Sequence, residues 1–438
     1  MKYFGTDGIR SKVNFSFLDK SFAVNLGEAV AKFIKSKSAI NNKVFIGRDT
    51  RPSGKMLLNG FIQGLKNEGL SGISVGILPT PALAFCVIKN KGALGVQITA
   101  SHNAECDNGF KFFLPSGNKL SECDESMIEE LIPTHKKTLF PQNFDSINAD
   151  TSYVEYVISL FPKNLLSGLR IVADLSYGAT INTSPRILSA LGAEVISIHD
   201  SNGKINDCVG SEHPEIMASR TRLEKADFGI AHDGDGDRVI FADCDGKIIE
   251  GDKILGLLAI HEKSMHRLNN NNFVATIHSN SGLAASLKKF GITLSVSDVG
   301  DKKVAQMMRT QNSNFGGESS GHIVASDFLP TGDGLITAIL VARAIIESQK
   351  KLNDLIDQIV LWPSLEGSFL IKEKIPIENC EPLKSILDEN NNKLENKGRI
   401  LLRYSGTEPK IRLLVEAKEN STAETVYNCL AKTIKSTL

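Results

Sequence analysis

The sequence predicts an α/β fold: three similar α/β domains with mixed sheets, followed by a smaller C-terminal α+β domain. Two patterns carry that prediction. Short apolar runs rich in β-branched residues alternate with stretches of helical spacing, and the alternation starts afresh twice. The tail breaks the pattern, because the polar run Asn390-Asn391-Asn392 separates a helical stretch from two strand-like runs and a last helix. The expected domain boundaries are 1–150, 151–250, 251–362 and 363–438.

In the first domain, Lys43-Val44-Phe45-Ile46-Gly47 reads as a short buried strand. Met56, Leu57, Phe61 and Leu65 then recur at helical spacing, with Ser53 as the N-cap. Gly72–Gly76 is the next strand, Pro79-Thr80-Pro81 ends it and opens a helix, and Ala93–Ile98 is a third strand. The second domain has a strand over Leu169–Asp174, a helix over Thr180–Leu191 and strands over Glu194–Ile198 and Phe228–His232. Val239–Ile249 reads as a hairpin about Asp245-Gly246. The third domain has helix Lys253–His261, strand Phe273–His278, helix Gly282–Lys289, strand Thr293–Ser297 and a long helix from Gly332-Asp333-Gly334 to Glu347. In the tail, strands over Arg399–Tyr404 and Lys410–Val415 precede a helix over Thr422–Ile434.

The 438 residues can bury an ample core without staples. Lysine plus arginine and aspartate plus glutamate both number 50, so the formal net charge is zero. That balance argues against nucleic-acid and anionic-membrane partners, and leaves room for a locally basic cleft that holds a small anion. The seven cysteines form no C-x-x-C pair and have irregular spacing, so neither a disulfide framework nor a cysteine zinc site is indicated. No apolar run has the length of a membrane span, and Met1–Asp7 lacks a signal peptide's apolar stretch. A soluble cytoplasmic protein is expected. No motif reports the oligomeric state, and a homodimer stays open.

Four loops carry the chemistry. In Asp233-Gly234-Asp235-Gly236-Asp237-Arg238, glycines between the carboxylates permit a tight turn that converges them. Three converging carboxylates repel unless a cation neutralises them, and hard oxygen ligands suit Mg²⁺. An EF-hand is excluded, because Arg238 and Cys244 stand where its glycine and glutamate belong. Thr99-Ala100-Ser101-His102-Asn103 presents Ser101 at a strand end as a candidate nucleophile; a seryl hydroxyl needs activation or prior modification. The surroundings are not G-x-S-x-G, and Lys111 leaves the loop on a predicted strand, where it suits phosphate binding or proton transfer. Gly316-Gly317-Glu318-Ser319-Ser320-Gly321-His322 offers the donors and acceptors that sugar hydroxyls need. Arg403-Tyr404-Ser405-Gly406-Thr407-Glu408-Pro409-Lys410-Ile411-Arg412 is a phosphate cradle of planar arginine forks and hydroxyls, and is not a Walker A loop.

These four motifs, in this order, resemble the α-D-phosphohexomutase family over essentially the whole chain. Within it, Phe4-Gly5-Thr6-Asp7-Gly8-Ile9-Arg10, Gly47-Arg48-Asp49-Thr50-Arg51 and Asp107–Phe113 resemble the bacterial subgroup that acts on glucosamine phosphates. The resemblance implies domains arranged around a central cleft. It implies phosphorylation of Ser101, one Mg²⁺ held by Asp233, Asp235, Asp237 and the Ser101 phosphate, and Arg238 touching that phosphate. Glu318 and Ser320 would grip the sugar, and Arg403, Ser405, Gly406, Thr407 and Arg412 the non-reacting phosphate. Arg10, Lys111 and His322 become candidates for proton transfer or phosphate positioning. The chain departs from the pattern at Ser11, at Ala104-Glu105-Cys106 after Asn103, at Lys302-Lys303 and at Tyr404.

The implied reaction interconverts glucosamine 6-phosphate and glucosamine 1-phosphate through glucosamine 1,6-bisphosphate, supplying amino-sugar precursors of the cell wall. A mannose or glucose phosphate substrate is the alternative within the family. Two other classes stay open: a phosphatase using Asp235 as nucleophile, since Asp235–Val239 fits D-x-D-x-[TV], and a non-catalytic sugar-phosphate-binding protein.

Overall fold

A computed structural model describes residues 1–37, 41–135, 137–138, 140, 143–395, 397–405 and 409–437. The chain divides into two compact units, Met1–His278 with Leu294–Ile356, and Ser279–Thr293 with Asp357–Leu438. The first unit carries a seven-stranded, a five-stranded and a four-stranded sheet, and the second a three-stranded sheet.

The seven-stranded sheet runs Phe4–Gly5, Gly8–Lys12, Asp107–Phe113, Leu94–Ile98, Lys43–Arg48, Ser71–Ile77, Asp145–Ser146. Lys43–Arg48 pairs in parallel with both neighbours, whereas Asp107–Phe113 runs antiparallel to Leu94–Ile98 and to Gly8–Lys12. The sheet is therefore mixed. The helices Lys20–Ser36 and Gly54–Asn67 pack against each other, and glycine makes that approach fit: a Cβ on Gly64 would lie 2.1 Å from the Val24 carbonyl oxygen. Ser53 sits at the N-terminus of Gly54–Asn67 but does not cap it. Its backbone is already helical, and its hydroxyl accepts a 2.9 Å hydrogen bond from Asn108 instead.

The five-stranded sheet runs Ile248–Ile249, Val239–Asp243, Phe228–His232, Arg170–Asp174, Glu194–Ile198, with the expected hairpin over Val239–Ile249. The helix expected over Thr180–Leu191 is shorter, Ser184–Ala190. The segment before it is a turn in which Ser176 and Tyr177 are left-handed (φ +55° and +51°) and Ala179 N–H bonds the Gly234 carbonyl at 2.9 Å. Those residues brace the aspartate loop. The four-stranded sheet comprises Thr293–Ser297, Asn272–Thr276, Phe315–Gly317 and Ile323–Ala325. Asp333 caps the helix Gly334–Ser348 by accepting from the N–H groups of Leu335 and Ile336.

In the second unit, Ser364–Leu370 and Gly398–Tyr404 flank Lys410–Ala417, all antiparallel, with helices Glu381–Lys393 and Asn420–Thr437 over them. The sequence predicts two strands here; Ser364–Leu370 is a third, whose alternating half-buried and exposed residues pair along most of Lys410–Ala417. Among the described residues no helix is long and apolar enough to cross a membrane, and all seven cysteines are free thiols.

Candidate active site

Two loops that follow central strands meet in the first unit. Strand ends in the middle of open α/β sheets are where ligand-binding loops gather. Leu94–Ile98 delivers Ser101, whose backbone is left-handed at φ +52° and whose side chain is fully buried. Phe228–His232 delivers Asp233, Asp235 and Asp237, all buried. Gly236 makes the turn at φ +71°, where an added Cβ would also meet Thr180 Cγ2 at 2.4 Å. Ser101 Oγ donates to Asp233 Oδ2 at 2.6 Å.

One oxygen of each aspartate lies within 4.8 Å of the others. Lys111 Nζ, almost fully buried, donates to Asp235 Oδ2 and Asp237 Oδ2 at 2.7 Å each. Thr80 Oγ1 also donates to Asp235. Asp235 Oδ1 and Asp237 Oδ1 are buried with no hydrogen-bond partner. Buried carboxylate oxygens without donors are unfavourable in an apoprotein. Their convergence fits a hard divalent cation with oxygen ligands.

The electrostatics separate the three carboxylates. Burial, reinforced by the charges of Asp235 and Asp237, pushes Asp233 well above the usual carboxylate range. Burial acts the same way on Asp237, but Lys111 and His322 outweigh it and hold that carboxyl well below its usual range. Burial opposes the charge of Lys111, and Asp235, Asp237 and Asp7 override it, so the ammonium is held well above its ordinary value.

A cavity of about 560 Å³ opens beside this cluster. Of the residues singled out from sequence, Arg10, Asp237, Arg238, Glu318, Ser320 and His322 line it. Ser101, Lys111, Asp233 and Asp235 do not line it. Backbone pairing joins the aspartate loop to the Gly316–His322 loop: Arg238 bridges His322, and Val239 N–H bonds the Gly321 carbonyl at 3.2 Å. His322 stands between two carboxylates, 3.7 Å from Asp237 and 3.8 Å from Asp301. Ser320 Oγ is buried without a partner, and Glu318 accepts from Gly300 N–H at 3.0 Å.

In the second unit, Arg403 and Arg412 are directly opposite each other on paired antiparallel strands. Like charges placed so repel unless an anion sits between them. Ser405 N–H bonds the Lys410 carbonyl at 2.8 Å, and Lys374 Nζ donates to the Ser405 carbonyl at 2.6 Å. Gly406 and Thr407 lie outside the described residues.

Several residues of the site carry no assignment from sequence. Asp7 gathers Arg10 at 3.0 Å, Lys111 at 3.4 Å and Lys119 at 2.6 Å, and Lys119 also pairs with Asp301. Asp7, Lys119 and Asp301 come from three distant segments that no local spacing connects. Lys302 pairs with Glu125, and Lys303 with Glu122 at 2.9 Å, so these departures tie the third domain to the first.

Models of the phosphoglucomutase/phosphomannomutase domains match the chain in succession: alpha/beta/alpha domain I over residues 1–139, domain II over 151–246, domain III over 250–361 and the C-terminal domain over 372–432. The chain belongs to the phosphoglucomutase/phosphomannomutase family. As a member of that family it is an enzyme, an isomerase of the phosphohexomutase kind. Curated relatives named phosphoglucosamine mutase are similar over full length. The one from Nautilia profundicola is 39% identical over 449 residues and covers 100% of both chains. That from Campylobacter jejuni is 40% identical over 431 residues, covering 96% of this chain and 95% of the relative. That from Chlamydia caviae is 36% identical over 444 residues, covering 99% and 97%. Among solved structures, a phosphoglucomutase/phosphomannomutase family protein from Burkholderia thailandensis has a TM-score of 0.81 at 21% identity, covering 99% of this chain and 96% of that one. Aspergillus fumigatus N-acetylphosphoglucosamine mutase, in complex with GlcNAc-6P and magnesium, has a TM-score of 0.67 at 15% identity, covering 99% and 96%. At these identities the two structures speak to the fold alone.

Proposed function

We propose that the chain interconverts glucosamine 6-phosphate and glucosamine 1-phosphate, with phospho-Ser101 as the phosphoryl carrier. The observation that carries the assignment is the 2.6 Å contact of Ser101 Oγ with Asp233, inside a carboxylate cluster that keeps two oxygens unpartnered. The substrate assignment leans on the relatives named phosphoglucosamine mutase, and the metal on the fit of Asp233, Asp235, Asp237 and the Ser101 oxygen to Mg²⁺. When bound, Mg²⁺ neutralises charge on the phosphoryl group in transfer.

The rest is the work of the chain's own side chains. The P–Oγ bond of phospho-Ser101 breaks as a bond forms from phosphorus to O1 of glucosamine 6-phosphate. The proton released by that hydroxyl is taken up by the site and ends on Ser101 Oγ. The resulting 1,6-bisphosphate turns round, and the reverse transfer from its O6 restores phospho-Ser101 and frees glucosamine 1-phosphate. Such transfers rest on positioning and charge neutralisation more than on covalent assistance. Lys111 and Arg238 supply positive charge at the reacting phosphate, and Arg10 and His322 supply it from the cavity wall. Glu318 and Ser320 hold sugar hydroxyls. Arg403, Ser405, Gly406, Thr407 and Arg412 bind the phosphate that is not reacting.

A coupled assay offering the 1-phosphates of glucosamine, N-acetylglucosamine, mannose and glucose tests the substrate, with the glucosamine ester expected to be turned over fastest. Faster turnover of mannose or glucose 1-phosphate would replace the substrate and keep the mechanism. Recovery of the phosphoryl label as a hydroxylamine-labile acyl phosphate on Asp235, in place of acid-stable phosphoserine, would overturn the carrier.

A further inference from the structure

The loop that presents Ser101 is wound around one guanidinium. Arg51 is fully buried, and every one of its side-chain nitrogens has an acceptor. Nε donates to Asp49 Oδ2 at 2.9 Å. One terminal nitrogen donates to the carbonyls of Ala104 and of Asp107, the latter at 3.0 Å. The other donates to the carbonyls of Ser101 at 3.0 Å and Asn103 at 2.7 Å. Asp49 steadies the arrangement, accepting from the Arg51 backbone N–H at 3.0 Å and from the Thr99 hydroxyl at 2.7 Å. The Thr99 oxygen in turn accepts from Ser101 N–H at 2.9 Å. From the second domain, Asn206 Nδ2 donates to the same two carbonyls, Ser101 at 2.7 Å and Asn103 at 2.9 Å.

No proline lies between Ser101 and Asp107, so no ring fixes the backbone there. Ser101 nevertheless holds φ at +52°. A serine keeps that conformation only where its surroundings impose it.

We propose that Arg51 is a positioning residue for phosphoryl transfer, with Asn206 as its partner from the second domain. Arg51 never touches the sugar. It fixes the peptide oxygens on either side of His102 and so sets the direction in which Ser101 Oγ points. The inference rests on the reading of Ser101 as phosphoryl carrier. Lysine is no substitute, because it offers three donors on a point charge where the loop needs a planar fork.

The experiment compares Arg51→Lys and Asn206→Ala with the wild-type chain. It reads kcat and KM for glucosamine 1-phosphate, the melting temperature, and the rate at which phospho-Ser101 loses its phosphoryl group to water. For Arg51→Lys the expected result is a kcat roughly 100-fold lower, the size of effect produced by misplacing a reacting atom by about an ångström. KM stays unchanged and the phosphoserine is lost faster. Asn206→Ala shows the same signature, smaller, and decides the matter if Arg51→Lys does not fold. Unchanged kcat per folded enzyme, or a rise in KM alone, overturns the inference. So does a loss that merely follows the melting temperature. A wild-type chain that carries no phosphoserine at Ser101 rejects the carrier reading itself, and the role of Arg51 falls with it.

Discussion

Asp333 starts the helix Gly334–Ser348 with both carboxylate oxygens occupied, one by the N–H groups of Leu335 and Ile336 and the other by the hydroxyl of Tyr153. Asp235 and Asp237 are also buried, yet each keeps one oxygen with no partner at all. All three are buried aspartates, so residue type and burial do not distinguish them. What differs is whether the fold completes the hydrogen bonding itself. A carboxylate that the fold satisfies is part of the scaffold. One that it leaves incomplete, among like charges, is arranged for something from outside.

The strongest way to break this contrast is at the group the incomplete cluster faces. Ser101→Ala should lower kcat at least ~10⁴-fold in the coupled assay, as loss of a nucleophile typically does, while the melting temperature hardly moves. Retention of turnover would remove Ser101 as the carrier and favour another nucleophile, Asp235 first among them. Next in size, chelation of Mg²⁺ should abolish turnover reversibly. Readdition should raise the melting temperature, since a ligand at 100 times its Kd stabilises by about 2.7 kcal/mol. Asp237→Asn should lose both responses, and a variant that still responds to Mg²⁺ would remove Asp237 from the metal set.

Asp333 should behave in the opposite way and show itself in stability. Burial raises its pKa from 3.8 to about 6. Between those values the unfolded chain gives up its proton first, so the native state loses stability as pH rises through the window from about 4 to 6. Relative to Asp333→Asn, the wild type should therefore lose on the order of 3 kcal/mol across that window, at about 1.4 kcal/mol for each pH unit. Parallel denaturation curves for the two proteins at pH 4 and 7 would contradict this. The smallest effect is expected at the second unit's arginine pair. Arg412→Ala should raise KM roughly 10- to 100-fold, the worth of a charge-assisted hydrogen bond, with little change in kcat. A loss confined to kcat would move Arg412 from anchoring to chemistry.

The loops that end strands are legible in the sequence because their signals are local: alternate aspartates and glycines, a polar segment after an apolar run, arginines on adjoining strands. The strands over Lys43–Arg48, Leu94–Ile98 and Phe228–His232 are legible for the same reason, as short apolar runs bounded by polar turns. The helix Lys20–Ser36 is legible by its period as well, since Ser21, Asn25, Glu28, Lys32 and Lys35 recur three and four residues apart, opposite Phe22, Leu26, Val30 and Phe33. The roles of Arg51, Asp7 and Lys119 are not. A buried charge is recognisable only by what surrounds it, and beside the local partners Asp49 and Arg10 the groups that define these roles come from segments far along the chain.

The seclusion of Ser101 also bears on how the proposed carrier would first be loaded. Thr99, Ala100 and Ser101 are all buried, and Arg51 grips the loop from within. A protein kinase draws several residues of its target into its own cleft as extended chain. This loop cannot be drawn out without unwinding it. On the proposed role of Ser101 as carrier, this favours as first phosphoryl donor a small molecule, or an agent that acts before the chain has folded, over a protein kinase acting on the folded chain.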